Sequence, residues 1–380
     1  MTAGGERRRI APLYIGSEIY RGSTYGPGHP LAIARVSTCT DLCRALGWLP
    51  DTAYRDAPMA SLGELARFHD PDYLAALQRA ERDQAVGVED RARFRIGADG
   101  NPVYREVFRR PATSAGGVLL AARLTADGGI VHCPGGGNHH ARPARAAGFC
   151  YINDPVLGLL AWRDAGLAPI VYLDIDAHHG DGVEEAFFQD ESVFTISLHE
   201  AGRWPFTGAA ADRAGGAARN LPVPAGFNDS EFRFLCEKAI LPLIAGIKPQ
   251  AIMLQCGADA LEEDPLARLA LSNNAHWWLI DQLRDLAPRL IVLGGGGYNP
   301  YTVGRLWAGV WATLNQFPIP ERLPPAAEAV LRGLAYHRAA GRNPPAHWFT
   351  TLRDAPREGP IRPEIRTLAA LTLEPDLSAC

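Results

Sequence analysis

Residues able to do chemistry gather in four short groups, each closing an apolar run. The first is Cys133-Pro134-Gly135-Gly136-Gly137-Asn138-His139-His140. The second runs from Asp174 to Gly182 and holds Asp174, Asp176, His178, His179 and Asp181. The third is Gln255-Cys256-Gly257-Ala258-Asp259, and the fourth is Gly294-Gly295-Gly296-Gly297-Tyr298. Carboxylate and imidazole groups suit a first-row divalent ion, zinc or iron. A catalytic zinc takes three protein ligands and keeps one position open. Asp176 and His178 supply two, and Asp259, ending another apolar run, is the natural third. If the strand carrying Val171-Tyr172-Leu173 persists, Asp174, Asp176 and His178 share one face. The competing reading is a set of solvated residues capping the next helix. Asp174 weighs against it, because an unpaired carboxylate between apolar residues is costly and needs a cation or a histidine N–H.

His139 and His140 have the pKa range for general acid–base work, although a double histidine alone can be a surface feature. Asp174 and Asp181 could each accept a ring N–H from one of them and fix its tautomer. Tyr298 is either a surface residue on a turn or a phenol aimed at a developing oxyanion. The glycine run lacks the Lys-Ser/Thr ending of a nucleotide loop. Ser197 lacks the setting of a serine nucleophile.

These groups need a scaffold that brings strand ends together. Apolar runs at Pro12 to Tyr20, Gly129 to Cys133, Pro169 to Ile175, Val193 to Leu198, Ala251 to Leu254 and Leu290 to Leu293 read as buried parallel strands. Helical patterns cover Thr113 to Leu124, Asp154 to Asp164, Ser230 to Ile247 and Asn274 to Leu286. Ser230 is positioned to cap the third, and Pro155 opens the second. Alternating strand and helix predicts one α/β domain with three layers and a central, mostly parallel sheet. In such sheets ligands bind at the C-terminal strand ends, where the four groups fall. Glu89 to Pro111 reads as a surface loop and Trp204 to Ala225 as a long connection. The catalytic unit is expected over residues 1–316. Residues 317–380, with a helix near Ala326 to Ala340 and many prolines, read as a strap packed on it.

Composition narrows the class further. Among 380 residues, Lys plus Arg is 38 and Asp plus Glu is 42, a formal charge of -4. That balance argues against nucleic acid as a ligand. No apolar run is long enough for a membrane span, and Met1 to Ile10, with Arg7-Arg8-Arg9, has no signal-peptide core. Seven dispersed cysteines, an odd number, predict free thiols and a cytoplasmic setting.

Seven motifs in order resemble the zinc-dependent histone deacetylase family, in its class I-like and bacterial acetoin-utilisation branch. Besides the four groups they are Tyr25-Gly26-Pro27-Gly28-His29-Pro30-Leu31, Phe68-His69-Asp70-Pro71-Asp72-Tyr73 and Gly148-Phe149-Cys150-Tyr151-Ile152-Asn153-Asp154. The resemblance implies an arginase/deacetylase-like fold and hydrolysis of N-ε-acetyl-lysine in proteins or peptides. It implies zinc, or iron in its place, on Asp176, His178 and Asp259. His139 and His140 would be the tandem histidines, paired with Asp174 and Asp181, and Tyr298 would bond the substrate carbonyl. Gly148, Phe149 and Phe206 would line an acyl-lysine tunnel, with Asp99 as a rim carboxylate. A structural potassium would sit at Asp174, Asp176, His178, Ser197 and Leu198, and a second monovalent ion near Phe187, Asp190 and Val193. The segment Trp204-Pro205-Phe206-Thr207-Gly208 departs from the usual Pro-Gly-Thr-Gly pattern. Acetylated polyamines or other small N-acyl amines are the alternative substrates. A binuclear manganese hydrolase is disfavoured, because Ala260 and Leu261 follow Asp259 where a second bridging Asp would be expected. A non-enzymatic binding module on the same fold is a third class, and the intact set of chemical groups weighs against it.

Overall fold

The computed structural model describes residues 11–375; the Arg7-Arg8-Arg9 run and Cys380 lie outside them. Eight strands form one parallel sheet in the order β2-β1-β3-β8-β7-β4-β5-β6. They are β1 (Leu13–Gly16), β2 (Tyr54–Asp56), β3 (Gly129–Cys133), β4 (Ile170–Asp174), β5 (Val193–Glu200), β6 (Ala218–Val223), β7 (Ala251–Gln255) and β8 (Arg289–Leu293). Their continuous apolar character has a direct cause. In β4, Val171 and Leu173 enter one core cluster while Ile170 and Tyr172 enter another on the opposite face. In β7, Ile252 and Leu254 alternate in the same way with Ala251 and Met253. Both of these central strands are therefore apolar at both parities, as a sheet covered on both sides requires. Full burial of each such aliphatic side chain contributes about 1.5–3 kcal/mol.

Helices cover both faces, giving the three-layer α/β domain that the alternating pattern predicts. The helix Asp154–Asp164 is capped by Asn153, whose side chain accepts from the Val156 N–H at 3.1 Å, and Pro155 lies in its first turn. The helix Pro300–Asn315 is buried on almost every side and is capped by Asn299.

Several elements differ from expectation. The run from Pro12 to Tyr20 ends as a strand at Gly16, and a short helix, Ile19–Gly22, follows. The Glu89 to Pro111 segment contains the helix Val88–Phe94 and buries Phe94, Ile96, Tyr104, Val107 and Phe108 in a third core cluster. Within the Trp204 to Ala225 segment lies β6, an edge strand whose Arg219, Asn220 and Pro222 interrupt the apolar signal. Pro222 is tolerated there because an edge strand leaves one side of its backbone unpaired. The Ser230 to Ile247 helix is capped instead by Asn228, in a reciprocal box with Glu231. It also widens into a π-helical turn at Cys236–Ile240 before Leu241–Ile247. Pro242 lies at the first turn beyond this widening; it lacks an N–H and its ring would crowd the carbonyl four residues back. The expected Ala326 to Ala340 helix is shorter, Pro325–Arg332. The six cysteines among the described residues are free and buried. No helix among those residues is long and apolar enough to cross a membrane.

The segment after Gln316 adds Leu323, Ala327, Leu331, Trp348, Leu352, Ile365 and Leu368 to the main core. It is held by Arg305, fully buried, which donates to the Asp354 carboxylate at 2.5 Å and to the Thr351 carbonyl at 2.7 Å. Asp354 also accepts from the Asn273 N–H at 3.1 Å. Asp354→Ala would leave a buried guanidinium without its counter-charge. Urea unfolding should show a loss of about 3–5 kcal/mol; a loss under about 1 kcal/mol would contradict the role given to this clamp.

Candidate metal centre and active site

Register sets the site. Cys133 pairs with Leu293, Leu254 with Val292, and Asp174 with both Gln255 and Ser197. The C-terminal ends of four adjacent strands, β3, β8, β7 and β4, are therefore level, and β5 runs beyond them to Glu200. The loops that leave them meet over a cavity of about 750 Å³ lined by His139, His140, Asp176, His178 and Tyr298.

Strand β4 stops at Asp174, so Asp176 and His178 do not meet by strand alternation. They turn inward on a loop. The Asp176 N–H donates to Asp174 Oδ1 at 3.1 Å and the His178 N–H to Asp176 Oδ1 at 3.0 Å. Asp176 Oδ2 accepts from Gln255 Nε2 and from the Gly296 N–H, both at 2.7 Å. Asp259 Oδ1 accepts from the Ala177 N–H at 3.0 Å. Amide donors thus hold both oxygens of Asp176 and one of Asp259. Asp176 Oδ1 and Asp259 Oδ2 face His178 Nδ1 at 3.1 and 3.0 Å. One ligand atom from each of the three residues lies within 4.8 Å of the others. Both carboxylates are buried, and burial together with Asp176 lifts Asp259 to about 6. Burial alone would depress His178, but hydrogen bonds to the two carboxylates outweigh it and push it up to about 10. Two buried acids converging on one imidazole nitrogen form a donor set that fits a divalent cation such as zinc or iron. Two glycines leave room for it. A Cβ on Gly257 would stand 2.1 Å from Asp176 Oδ2, and one on Gly296 would stand 2.1 Å from Asp259 Oδ2.

The histidine loop is fixed from behind. Asp154, wholly buried, accepts from the Gly137 N–H at 2.7 Å, from Asn138 Nδ2 at 2.5 Å and from Ser114 Oγ at 2.9 Å. Gly137 has φ 105°, and a Cβ there would meet the Gly294–Gly295 backbone at 2.8 Å. Asn153 Nδ2 holds the carbonyls of His139 and Ala141. The two imidazoles lie 3.9 Å apart by ring centroid. His139 Nδ1 bonds Asp174 Oδ2 and His140 Nδ1 bonds Asp181 Oδ1, each at 2.7 Å. The Tyr172 hydroxyl also donates to Asp174, and Arg142 donates to the carboxylate and carbonyl of Asp181. Burial would lower both histidines. At His139 the carboxylates of Asp174 and Asp176 win and push it up to about 9. At His140 burial and the His139 charge win and push it down to about 4. The two adjacent rings are therefore pushed in opposite directions. Burial, with Asp259 and Asp176 nearby, keeps the Tyr298 phenol protonated. The Tyr298 N–H is held by Asp264 at 2.6 Å.

The tunnel wall differs from expectation. Phe149 meets Tyr298 edge-on at 5.9 Å. Opposite it stands Trp204, 4.7 Å from the His140 ring and 6.5 Å from that of His178. Phe206 lines the outer mouth and is 74% exposed. Both Trp204 and Phe206 line the cavity, and Trp204, 40% exposed, is the aromatic ring that reaches the histidines. Gly148, at φ 54°, makes room: a Cβ would meet His140 and Trp204 at 2.4 and 2.6 Å. Asp99 lines the mouth, and Arg95 holds its carboxylate at 2.6 Å. Ser197 Oγ bonds His199 Nδ1 at 2.9 Å, while Leu198 lies in the core. Asp190 is taken by Ser192 and Arg163, and the Phe187 carbonyl accepts from the Asp190 N–H; Val193 opens β5 beside Ile170. Residues not foreseen as functional include Trp204, Gln255, Arg142, Tyr172 and Asp154. Gln255, a polar residue closing a buried strand, carried the clearest signal.

The histone deacetylase domain model matches residues 29–314. Histone deacetylase 9 of Arabidopsis thaliana is 37% identical over 320 residues, 80% of this chain and 73% of that protein. Histone deacetylase RPD3 of Saccharomyces cerevisiae is 33% identical over 332 residues, 84% of this chain and 75% of its own length. A Caenorhabditis elegans relative is longer still, and the chain spans 57% of it. The crystal structure of an HDAC homologue from Aquifex aeolicus matches with TM-score 0.91 at 33% identity, covering 96% of this chain and all of that one. An HDAC homologue complexed with SAHA matches equally well.

Gly296→Ala tests the metal pocket. The variant should keep its far-ultraviolet circular dichroism and bind zinc at least ~10-fold more weakly, as expected when ligand support is disturbed. Unchanged affinity in a metal titration would contradict the geometry.

Proposed function

The chain belongs to the histone deacetylase family, and from that premise we propose that it is a zinc-dependent amidohydrolase that removes acetyl groups from N-ε-acetyl-lysine in proteins or peptides. The observation that carries this reading is one cavity holding a two-aspartate, one-histidine donor set, two histidine–aspartate pairs and a buried phenol.

Asp176, His178 and Asp259 would hold a divalent ion, which would supply Lewis acidity toward a carbonyl and water. The protein side chains do the rest. Asp181 engages Nδ1 of His140, which leaves Nε2 to take the proton of the attacking water and deliver it to the leaving amine. Burial favours the neutral form of His140, the form a base needs, and His139, bonded to Asp174, lies beside it. Arg142 fixes Asp181 and so fixes the ring. Tyr298, kept protonated, donates to the carbonyl oxygen as negative charge develops there. Phe149 and Trp204 flank a slot suited to an apolar stem with its amide at the bottom.

Tyr298→Phe removes one oxyanion donor and no metal ligand. Turnover of an acetyl-lysine peptide should fall by ~10²-fold or more with zinc content unchanged. Equal turnover would remove Tyr298 from the mechanism. Asp176→Ala should lose the metal in elemental analysis, and full retention would overturn the ligand assignment. Running acetylated polyamine beside the peptide separates the two substrate classes: faster polyamine turnover would move the function to small amines.

A further inference from the structure

The charged groups at the cavity mouth are nearly all engaged with one another. Asp99 is held by Arg95 at 2.6 Å. Glu200, 6% exposed, accepts from Arg203 Nε and Nη2 at 2.6 and 2.8 Å. The third Arg203 nitrogen donates to the Leu266 carbonyl at 2.7 Å. Deeper in, Arg35 donates to the Gly295 carbonyl at 2.7 Å. Neither acid at the mouth is therefore free to receive a second ammonium group from a substrate.

Arg268 is different. It lines the same cavity, is exposed, and its guanidinium has no ion pair or hydrogen bond among the described residues. Its backbone is nevertheless pinned on both sides. The Arg268 N–H donates to Glu200 Oε2 at 2.7 Å, and its carbonyl accepts from the Gly226 N–H at 2.6 Å. One unmatched positive charge is thus anchored on a cavity that the exposed rings of Trp204 and Phe206 also line. A guanidinium fork matches a carboxylate, and a rim charge acts on encounter and partner choice more than on chemistry.

We infer that Arg268 is a specificity-determining residue that favours acyl-lysine segments carrying an aspartate or glutamate close to the modified lysine. The inference rests on the acyl-lysine reading above and refines it. Substrates rich in positive charge, whether lysine- and arginine-rich segments or polyamines, are disfavoured by the same group. Trp204 and Phe206 present an apolar surface to the rest of the flanking chain.

The test uses three acetyl-lysine peptides that differ only in flanking Glu, Gln or Lys, assayed with the full-length zinc-loaded protein. The wild type should prefer the glutamate peptide over the lysine peptide by about ten-fold in kcat/KM, attraction and repulsion each giving a few-fold effect as for other exposed charge pairs. Arg268→Gln should abolish most of the preference and Arg268→Glu should invert it. Raising the salt to about 0.5 M should flatten the preference, because exposed charges are screened. A purely structural role for Arg268 would not give an inverted, salt-sensitive ratio. Equal kcat/KM for the three peptides, or a ratio unmoved by Arg268→Glu, overturns the inference and leaves the deacetylase reading standing. No turnover of any peptide overturns both.

Discussion

Two carboxylates are held together where both are buried, and much of the site follows from that. Asp176 and Asp259 are both buried and converge on His178 Nδ1. Left alone, their repulsion and desolvation would be costly. The fold meets the cost in two ways. Amide donors from Gln255, Gly296 and Ala177 occupy one oxygen of each acid. The remaining oxygens converge on His178 Nδ1, where positive charge offsets their repulsion. The arrangement is a donor set that fits a divalent cation.

The parallel sheet makes such a donor set possible. Adjacent strands in register end at the same height, so loops separated by more than a hundred residues contribute to one centre. Glycine is used where loops must touch. Gly257 and Gly296 give way to carboxylate oxygens, and Gly137 lets the histidine loop lie against the β8 loop. Asp154 is the corresponding anchor beneath the histidines, and burial raises its pKa even though four donors converge on it. Charge is thus distributed in layers: acids at the metal, histidines beside it, and acids again behind the histidines.

Much of this was legible in the sequence because chemistry and burial leave local signatures. Strands covered on both faces read as unbroken apolar runs, so six of the eight were visible. β2 is three residues long, and β6 carries Arg219, Asn220 and Pro222 at the sheet edge, so neither has such a signature. The candidate metal ligands were singled out by residue type, but for a partly mistaken local reason. Asp176 and His178 meet through a turn, not along a strand. Trp204 and the lip were not legible. Their position depends on Arg203, which joins the nearby Glu200 to the distant Leu266 carbonyl, a contact that no short sequence pattern encodes. The same holds for the strap, whose buried clamp joins Arg305 to Asp354 across the fold.

The central claim is that one divalent ion in this three-residue donor set is required for amide hydrolysis. The direct test is to strip the protein with a chelator and titrate zinc back while following turnover of an acetyl-lysine peptide. Activity should be absent at the start, rise in proportion to zinc and saturate at one ion per chain. Full activity in the stripped protein, or saturation only at two ions per chain, would contradict it.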